Sequence, residues 1–237
     1  MADRQGLVAA IFDVDGVLVA SPHERAWREA LHGIAEPERF TTAVYQAYVA
    51  GKPRLDGARA VLEQLGVAHA AELAPVYAER KQRRIEELIA AGTFTAFADG
   101  LRFVHATRAS GLQLAVASSS KNANSMLQRI SVGSGKTLFD LFDVNVCGRD
   151  LPMGKPHPEI FLLAARELAV GPANCFVVED AAAGIEAAKA GCMTALGVAR
   201  LGDEALLRAA GADLVVANLD EVTVDALPRP RLCSRDA

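Results

Sequence analysis

Leu7-Val-Ala-Ala-Ile-Phe-Asp-Val-Asp-Gly-Val17 runs six apolar residues straight into two carboxylates and a glycine. The apolar part reads as a strand. Ligands of open parallel sheets bind outside the carboxyl ends of the strands, so Asp13, Asp15 and Gly16 occupy the edge where function is expected. A calcium loop does not fit, because Gly16 stands fourth from Asp13 and an EF-hand needs its glycine sixth. Taken alone, the segment reads equally well as a polar strand-to-loop turn.

Further Val-, Leu- and Ile-rich runs stand near 112–118, 144–147, 175–179, 194–198 and 213–216, separated by longer amphipathic stretches. Strands alternating with helices predict an α/β fold, a doubly wound parallel sheet of the Rossmann-like kind. From Val17 to about Ala98 no comparable run occurs. Trp27, Ala30, Leu31 and Ile34 share one helical face, and Leu55, Ala58, Leu62 and Leu65 repeat the pattern. A helical stretch of about 75 residues is too long for a loop. It predicts an all-helical domain over residues 19–95, inserted into an α/β core made of residues 1–18 and 96–237. Ser21, Pro22 and Glu24 predict its first helix start, as N-cap, first helical residue and partner in a Ser-x-x-Glu capping box.

Of the 237 residues, 51% are hydrophobic and 23% charged, which excludes a disordered or collagen-like chain. Lys plus Arg number 25 against 29 Asp plus Glu, and a net charge of -4 argues against a nucleic-acid partner. The N-terminal apolar run is shorter than the roughly 7–15 residues of a signal-peptide core and the roughly 20 of a membrane span. A cytoplasmic monomer with no membrane partner is the expectation. Cys147, Cys175, Cys192 and Cys233 lack zinc-ligand spacing and read as reduced, mostly buried thiols. The tail from Pro228 onward reads as a loose end.

Three more polar clusters follow apolar runs or open helices. Ser118-Ser119-Ser120-Lys121-Asn122 offers a hydroxyl and backbone N–H groups at a helix start, a phosphate cradle or a simple Ser N-cap. Gly154-Lys155-Pro156 precedes a helix carrying Ile160, Phe161 and Leu168. Glu179-Asp180 ends a strand and precedes a helix closed by Gly191. If the sheet brings Asp13, Asp15, Glu179 and Asp180 together, each close pair repels by about 4 kcal/mol at 4 Å and an effective dielectric near 20. Such a cluster needs a cation, and an all-oxygen ligand set fits Mg²⁺ better than zinc or copper. Lys155 and the Ser118 cradle then serve a phosphoryl group, one Asp is free to act as nucleophile, and the other as general acid and base.

The four clusters, in this order and with a helical insertion after the first, resemble the four motifs and small helical cap of the haloacid dehalogenase superfamily. By that resemblance Asp13 is the nucleophile and a Mg²⁺ ligand. Asp15 is the acid/base and gives its backbone oxygen to the metal. Ser118 and Lys155 bind the phosphoryl group, and Glu179 with Asp180 form the acidic metal-binding pair. Dehalogenating members need neither that pair nor a second Asp in the first motif, so Asp15 argues for phosphate chemistry. His23 in His-Glu-Arg-Ala-Trp27 is similar to the β-phosphoglucomutase-like subfamily, where a His at the start of the cap contacts the acid/base Asp. Gly51-Lys52-Pro53-Arg54 resembles that subfamily's cap loop, whose Arg grips the phosphate that is not transferred, and Ser120, Lys121 and Asn122 match its core loop.

Two departures stand out. The linker from Asp15 to His23 is shorter than in the best-known mutases, and Ala20 stands where an acidic residue is usual. The resemblance implies Mg²⁺-dependent phosphoryl transfer on a sugar phosphate through an aspartyl phosphate, with β-glucose 1-phosphate converted to glucose 6-phosphate. A phosphatase of the same fold is the alternative, and a non-catalytic binding protein the third reading. Gly133-Ser-Gly-Lys-Thr137 is not a P-loop, because Ile130 stands where the first glycine belongs; it reads as a loop insertion. Arg80-Lys81-Gln82-Arg83-Arg84 reads as a solvated helix face, or as one that turns Arg80 or Lys81 toward a phosphorylated substrate.

Overall fold

A computed structural model describes residues 6–223. In chain order its strands are β1 (Ala9–Phe12), β2 (Val19–Ala20), β3 (Thr95–Ala96), β4 (Gln113–Val116), β5 (Ser131–Gly133), β6 (Lys136–Thr137), β7 (Val144–Asn145), β8 (Cys175–Glu179), β9 (Thr194–Val198) and β10 (Leu214–Val216). The helices are α1 (His23–Ala30), α2 (Thr42–Tyr48), α3 (Arg54–Gln64), α4 (Ala70–Ala90), α5 (Ala98–Ala109), α6 (Ala123–Leu127), α7 (Glu159–Glu167), α8 (Ala182–Ala190) and α9 (Glu204–Ala209).

Six strands form one sheet in the order β10-β9-β8-β1-β4-β7, and every neighbouring pair is parallel. Chain order reverses on the two sides of β1, so the topological switch point lies between β1 and β8. Along β1 side chains alternate between two buried layers. Ala10 and Phe12 join Phe103 and Met126 on one face, while Ala9 and Ile11 join Phe161 and Ile185 on the other. Burial on both faces is why this strand is a continuous apolar run rather than an alternating one. Phe12 is fully buried and meets Phe103 and Phe142 edge-on, each at 6.0 Å between centroids. Its burial contributes about 1.5–3 kcal/mol.

Helices α1 to α4 sit between β2 and β3, which pair with each other antiparallel, Val19 with Ala96 and Ala20 with Thr95. Both crossings into the helical unit thus run through one two-stranded ribbon. Trp27, Leu31, Phe40, Leu62 and Tyr77 fill the unit's own core. The Tyr77 hydroxyl donates to the Trp27 carbonyl at 2.9 Å and the two rings meet edge-on at 5.0 Å. Helix α4 is anchored twice. Ala74, Tyr77 and Ala78 pack in the cap, and Ile85, Leu88 and Ile89 pack against the layer that holds Phe12.

Three local expectations are corrected. Helix α1 begins at His23 after Pro22 with no side-chain cap, so the Ser21–Glu24 box does not form. Glu24 instead accepts hydrogen bonds from Arg28 and from Thr42 Oγ1, and the charge-assisted bond to a guanidinium outweighs one backbone N–H. Ile34 lies beyond the end of α1, and Leu55 is 53% exposed rather than in the cap core. The ribbon β2–β3 was not foreseen, because two residues are too few to show a period. Gly133–Thr137 belongs to the hairpin β5–β6, in keeping with its reading as an insertion and not a P-loop. Cys147, Cys175 and Cys192 are free thiols. Cys233 and the tail from Pro228 lie outside the described residues. Among the described residues no helix is long and apolar enough to cross a membrane.

Candidate active site

Phe12, Val116 and Val178 are partners across the three central strands, so the residues just beyond them leave the sheet side by side. They are Asp13 after β1, Ser118 two residues past β4, and Glu179 with Asp180 at the end of β8. The ladder holds to the edge: the Asp13 N–H donates to the Val178 carbonyl at 3.0 Å, and the Ala117 N–H to the Phe12 carbonyl at 2.8 Å. Lys155 comes from the loop before α7. Its Nζ donates to Asp13 Oδ1 at 2.6 Å and to Glu179 Oε1 at 2.5 Å, and lies 4.9 Å from the centroid of the Phe161 ring.

Burial pushes the Asp13 carboxyl up to about 8, Lys155 opposing and the Glu179 and Asp15 charges adding to the rise. Asp180 is pushed up too, by burial and then by Glu179 and Asp13. Burial alone would lower Lys155, but the carboxylates of Asp13 and Glu179 hold it charged. Glu179 is already well supplied, since its Oε2 also accepts the N–H groups of Asp180 at 3.0 Å and Ala181 at 3.1 Å. One carboxylate oxygen each from Asp13, Glu179 and Asp180 lies within 4.8 Å of the others. Three carboxylates with one ammonium group leave negative charge that a hard, oxygen-seeking cation would offset, so the donor set fits such an ion. Gly16 lets the loop pass this cluster: its φ is +80°, and a Cβ there would lie 1.8 Å from Asp180 Oδ2.

Asp15 faces the other way, toward the cap. Its Oδ2 lies 3.5 Å from the donating Ser118 hydroxyl, and its buried Oδ1 has no hydrogen-bond partner although His23 Nε2 is 3.4 Å away. Ser118 Oγ accepts the Ser120 N–H at 3.1 Å, and Ser120 Oγ accepts the Asn122 N–H at 3.2 Å, which folds the loop into a pair of small turns ahead of α6. His23 Nε2 is 3.2 Å from Ser120 Oγ, and its Nδ1 is 2.6 Å from Lys81 Nζ. Burial, then Lys81, brings His23 down to about 4, against the pull of Asp15. Burial brings Lys81 down to about 7, with Asp15 opposing and Arg54 adding to the fall. His23 is therefore neutral at pH 7. When Lys81 is charged and donates to Nδ1, the ring proton lies on Nε2, the nitrogen nearer Asp15.

On the cap side Arg54 opens α3 and donates to Gln82, which in turn pairs with Asn122 of the core. Lys52 donates to the Ala47 carbonyl at 3.3 Å, and Lys121 pairs with Asp150 at 2.5 Å in an exposed position. Gly154 allows the cap loop to sit against the core, since a Cβ there would come within 2.1 Å of Pro53 Cγ. Gly51 lies next to Ala181 and Lys155, a Cβ at that position being 3.5 and 3.7 Å from their side chains. The two walls enclose a cavity of about 440 Å³ that reaches from Asp13 and Lys155 to Arg54, with Trp27 and Tyr45 among its lining residues. The structure thus brings the four core clusters to one place and sets His23, Gly51, Lys52 and Arg54 on the opposite wall.

Lys81 and Gln82 are the residues whose place the sequence left undecided or did not single out. Lys81 is 4% exposed, not a solvated surface residue. A signal for it exists: Ala74, Tyr77, Ala78, Lys81, Ile85 and Leu88 recur at helical spacing, so Lys81 falls on the buried stripe of α4. Gln82 has no comparable signal.

Residues 7–191 match the family described as haloacid dehalogenase-like hydrolase. The chain belongs to that family. This haloacid dehalogenase-like protein is 34% identical over 228 residues to the β-phosphoglucomutase of Bacillus subtilis, covering 92% of this chain and 93% of the relative. It is 33% identical over 213 residues to the phosphorylated carbohydrates phosphatase of Thermotoga maritima, covering 88% and 93%. Among solved structures, the archaeal β-phosphoglucomutase of Pyrococcus sp. strain ST 04 superposes with a TM-score of 0.74 at 33% identity, over 92% of this chain and 96% of that one. The protein is a phosphotransferase or hydrolase of this family, and relatives bearing both kinds of name span most of its length.

Proposed function

We propose that the protein transfers a phosphoryl group of a sugar phosphate through an aspartyl phosphate on Asp13, and that its reaction interconverts β-glucose 1-phosphate and glucose 6-phosphate. The observation that carries this reading is one cavity lined by Asp13 and Lys155 from the core and by Arg54 from the cap. A sugar phosphate whose phosphoryl group lies at one end, with a second anionic group at the other, suits such a space.

A carboxylate oxygen of Asp13 attacks phosphorus, the bond from phosphorus to the sugar oxygen breaks, and Asp15 gives that oxygen its proton. In the second half a sugar hydroxyl gives its proton to Asp15 and attacks the phosphoaspartate, which releases Asp13. Lys155 orients Asp13 and offsets charge on the phosphoryl oxygens, and Ser118 donates to one of them. His23 steadies Asp15 from the cap. Asp13, Glu179, Asp180 and the backbone oxygen of Asp15 would hold Mg²⁺, which when bound offsets the charge of the carboxylates and the phosphoryl group.

A phosphatase reading is favoured by the 33% identity to the Thermotoga maritima phosphatase. There water, rather than a sugar hydroxyl, attacks the phosphoaspartate. Phosphorus NMR with β-glucose 1-phosphate, Mg²⁺ and a trace of β-glucose 1,6-bisphosphate separates the two. Growth of the glucose 6-phosphate signal is the expected result; inorganic phosphate without isomerisation would overturn the mutase assignment.

A further inference from the structure

Gln82 stands on α4 one residue past Lys81, where the helix leaves the cap core for the sheet. Its carboxamide faces that of Asn122 across the cleft in a reciprocal pair. Gln82 Nε2 donates to Asn122 Oδ1 at 3.1 Å, and Asn122 Nδ2 donates to Gln82 Oε1 at 3.3 Å. The same Oε1 accepts from Arg54 Nη1, and the same Nε2 donates to Glu86 Oε1 at 2.6 Å. A carboxamide has two donors and two acceptor sites, so all four are in use. Its orientation is fixed as well, because a flip would turn the NH₂ group onto the Arg54 guanidinium and the oxygen onto the Glu86 carboxylate.

Among the described residues, Gln82 is the one side chain hydrogen-bonded both to Arg54 and to the 118–122 loop. Arg54 is an exposed lining residue of the cavity on a long stem, and without a partner its guanidinium would sample many rotamers. Asn122 closes the loop whose other end carries Ser118. Gln82 therefore registers a cation of the cap against the anion-binding loop of the core.

We propose that Gln82 is a positioning residue for the end of the cavity remote from Asp13: by holding Arg54 and Asn122 in one arrangement it selects substrates with a second anionic group, sugar bisphosphates above all, over compact phosphomonoesters. The inference rests on the phosphoryl-transfer reading of the site. It needs no chemical step at Gln82, only that a distal phosphate meets two donors already aligned across the two walls.

Gln82→Leu keeps the size and removes the four bonds, while Gln82→Glu keeps the acceptor for Arg54 and loses both donors. The test compares β-glucose 1,6-bisphosphate with p-nitrophenyl phosphate, whose single anionic group is the one transferred. Misalignment of Arg54, equivalent to about one lost charge-assisted hydrogen bond to the distal phosphate, predicts that kcat/KM for the bisphosphate, relative to that for p-nitrophenyl phosphate, falls about tenfold in Gln82→Leu, mainly through KM. Gln82→Glu should fall less, and supplies the same comparison if the leucine variant does not fold. Equal losses on the two substrates, or an unaltered ratio, would overturn the proposal. Calorimetry of the bisphosphate on Asp13→Asn protein, with and without Gln82→Leu, reads the same selection without turnover, and about a tenfold weaker Kd is expected. An Asp13→Asn protein that still turns over would sink the aspartyl-phosphate reading alone, since the Kd comparison still decides the role of Gln82.

Discussion

On the core side of the cavity, Asp13, Ser118, Glu179 and Asp180 each stand at a strand end or within two residues of one, and the carboxylates of Asp13 and Glu179 are tied to Lys155. On the cap wall, His23, Arg54, Lys81 and Gln82 come from three helices, and burial brings His23 and Lys81 toward their neutral forms. The core wall concentrates charge where a phosphoryl group would react. The cap wall supplies aligned polar groups that a second part of the substrate can meet. Changes to the core wall should therefore act on kcat, and changes to the cap wall on KM or on substrate choice.

The sharpest way to break this division is at Asp13. Asp13→Asn keeps the shape and removes the nucleophile, and kcat should fall by about 10⁴-fold or more, close to 5.4 kcal/mol of barrier. Acid-quenched protein incubated with labelled phosphoryl donor should carry label in the wild type and none in the variant. Asp15→Asn should follow with a fall of about 10²–10⁴-fold in kcat, the range for a lost general acid and base. Steady-state kinetics checks this, and a change confined to KM would place Asp15 in binding rather than in proton transfer.

The same division governs what the sequence disclosed. The sheet, its six strands and the four core clusters were legible because each cluster directly follows an apolar run or opens a helix, and parallel register carries strand ends to a common edge. His23 and Arg54 were legible only through resemblance, since no local spacing ties a helix residue to a strand end far away in the chain. Lys81 could have been placed by the stripe it interrupts on α4. Gln82 could not, because its partners Arg54 and Asn122 lie 28 and 40 residues away and a lone glutamine on a mostly polar helix face carries no pattern. The capping box at Ser21 failed because Arg28 on the same helix and Thr42 from the next both take Glu24, and only the first of these is at helical spacing.

The charge held by the core wall is open to a test through pH. Burial pushes the Asp13 carboxyl up from the usual carboxylate range to about 8, so within that window the folded protein keeps a proton that the unfolded chain has lost. Stability of the metal-free protein therefore drains away through this carboxyl as pH rises across that window. Mg²⁺ binds the anionic form, so the stabilisation it brings should be greatest near pH 8.5 and shrink toward pH 5. At a concentration a hundred times Kd the gain is about 2.7 kcal/mol. Denaturant melts with Mg²⁺ and with chelator at both pH values read it directly, and taking the difference removes the titrations of His23 and Lys81. An equal gain at both would mean that the ion does not bind at Asp13.

The smallest effect is expected at Arg54, and it tests the cap wall alone. Arg54→Lys keeps the positive charge but replaces a planar fork by a single ammonium, whose donors lack the coplanar spacing that meets two phosphate oxygens side by side while also holding Gln82. KM for a sugar phosphate should rise about tenfold, as for one lost charge-assisted hydrogen bond, with kcat within about threefold of the wild type. The effect should also shrink when Gln82→Leu is already present, because both substitutions undo the same alignment. If kcat fell as far as KM rose, Arg54 would be acting on the reacting phosphoryl group itself. The remote end of the cavity would then have moved to Asp13, and the two walls would share one task.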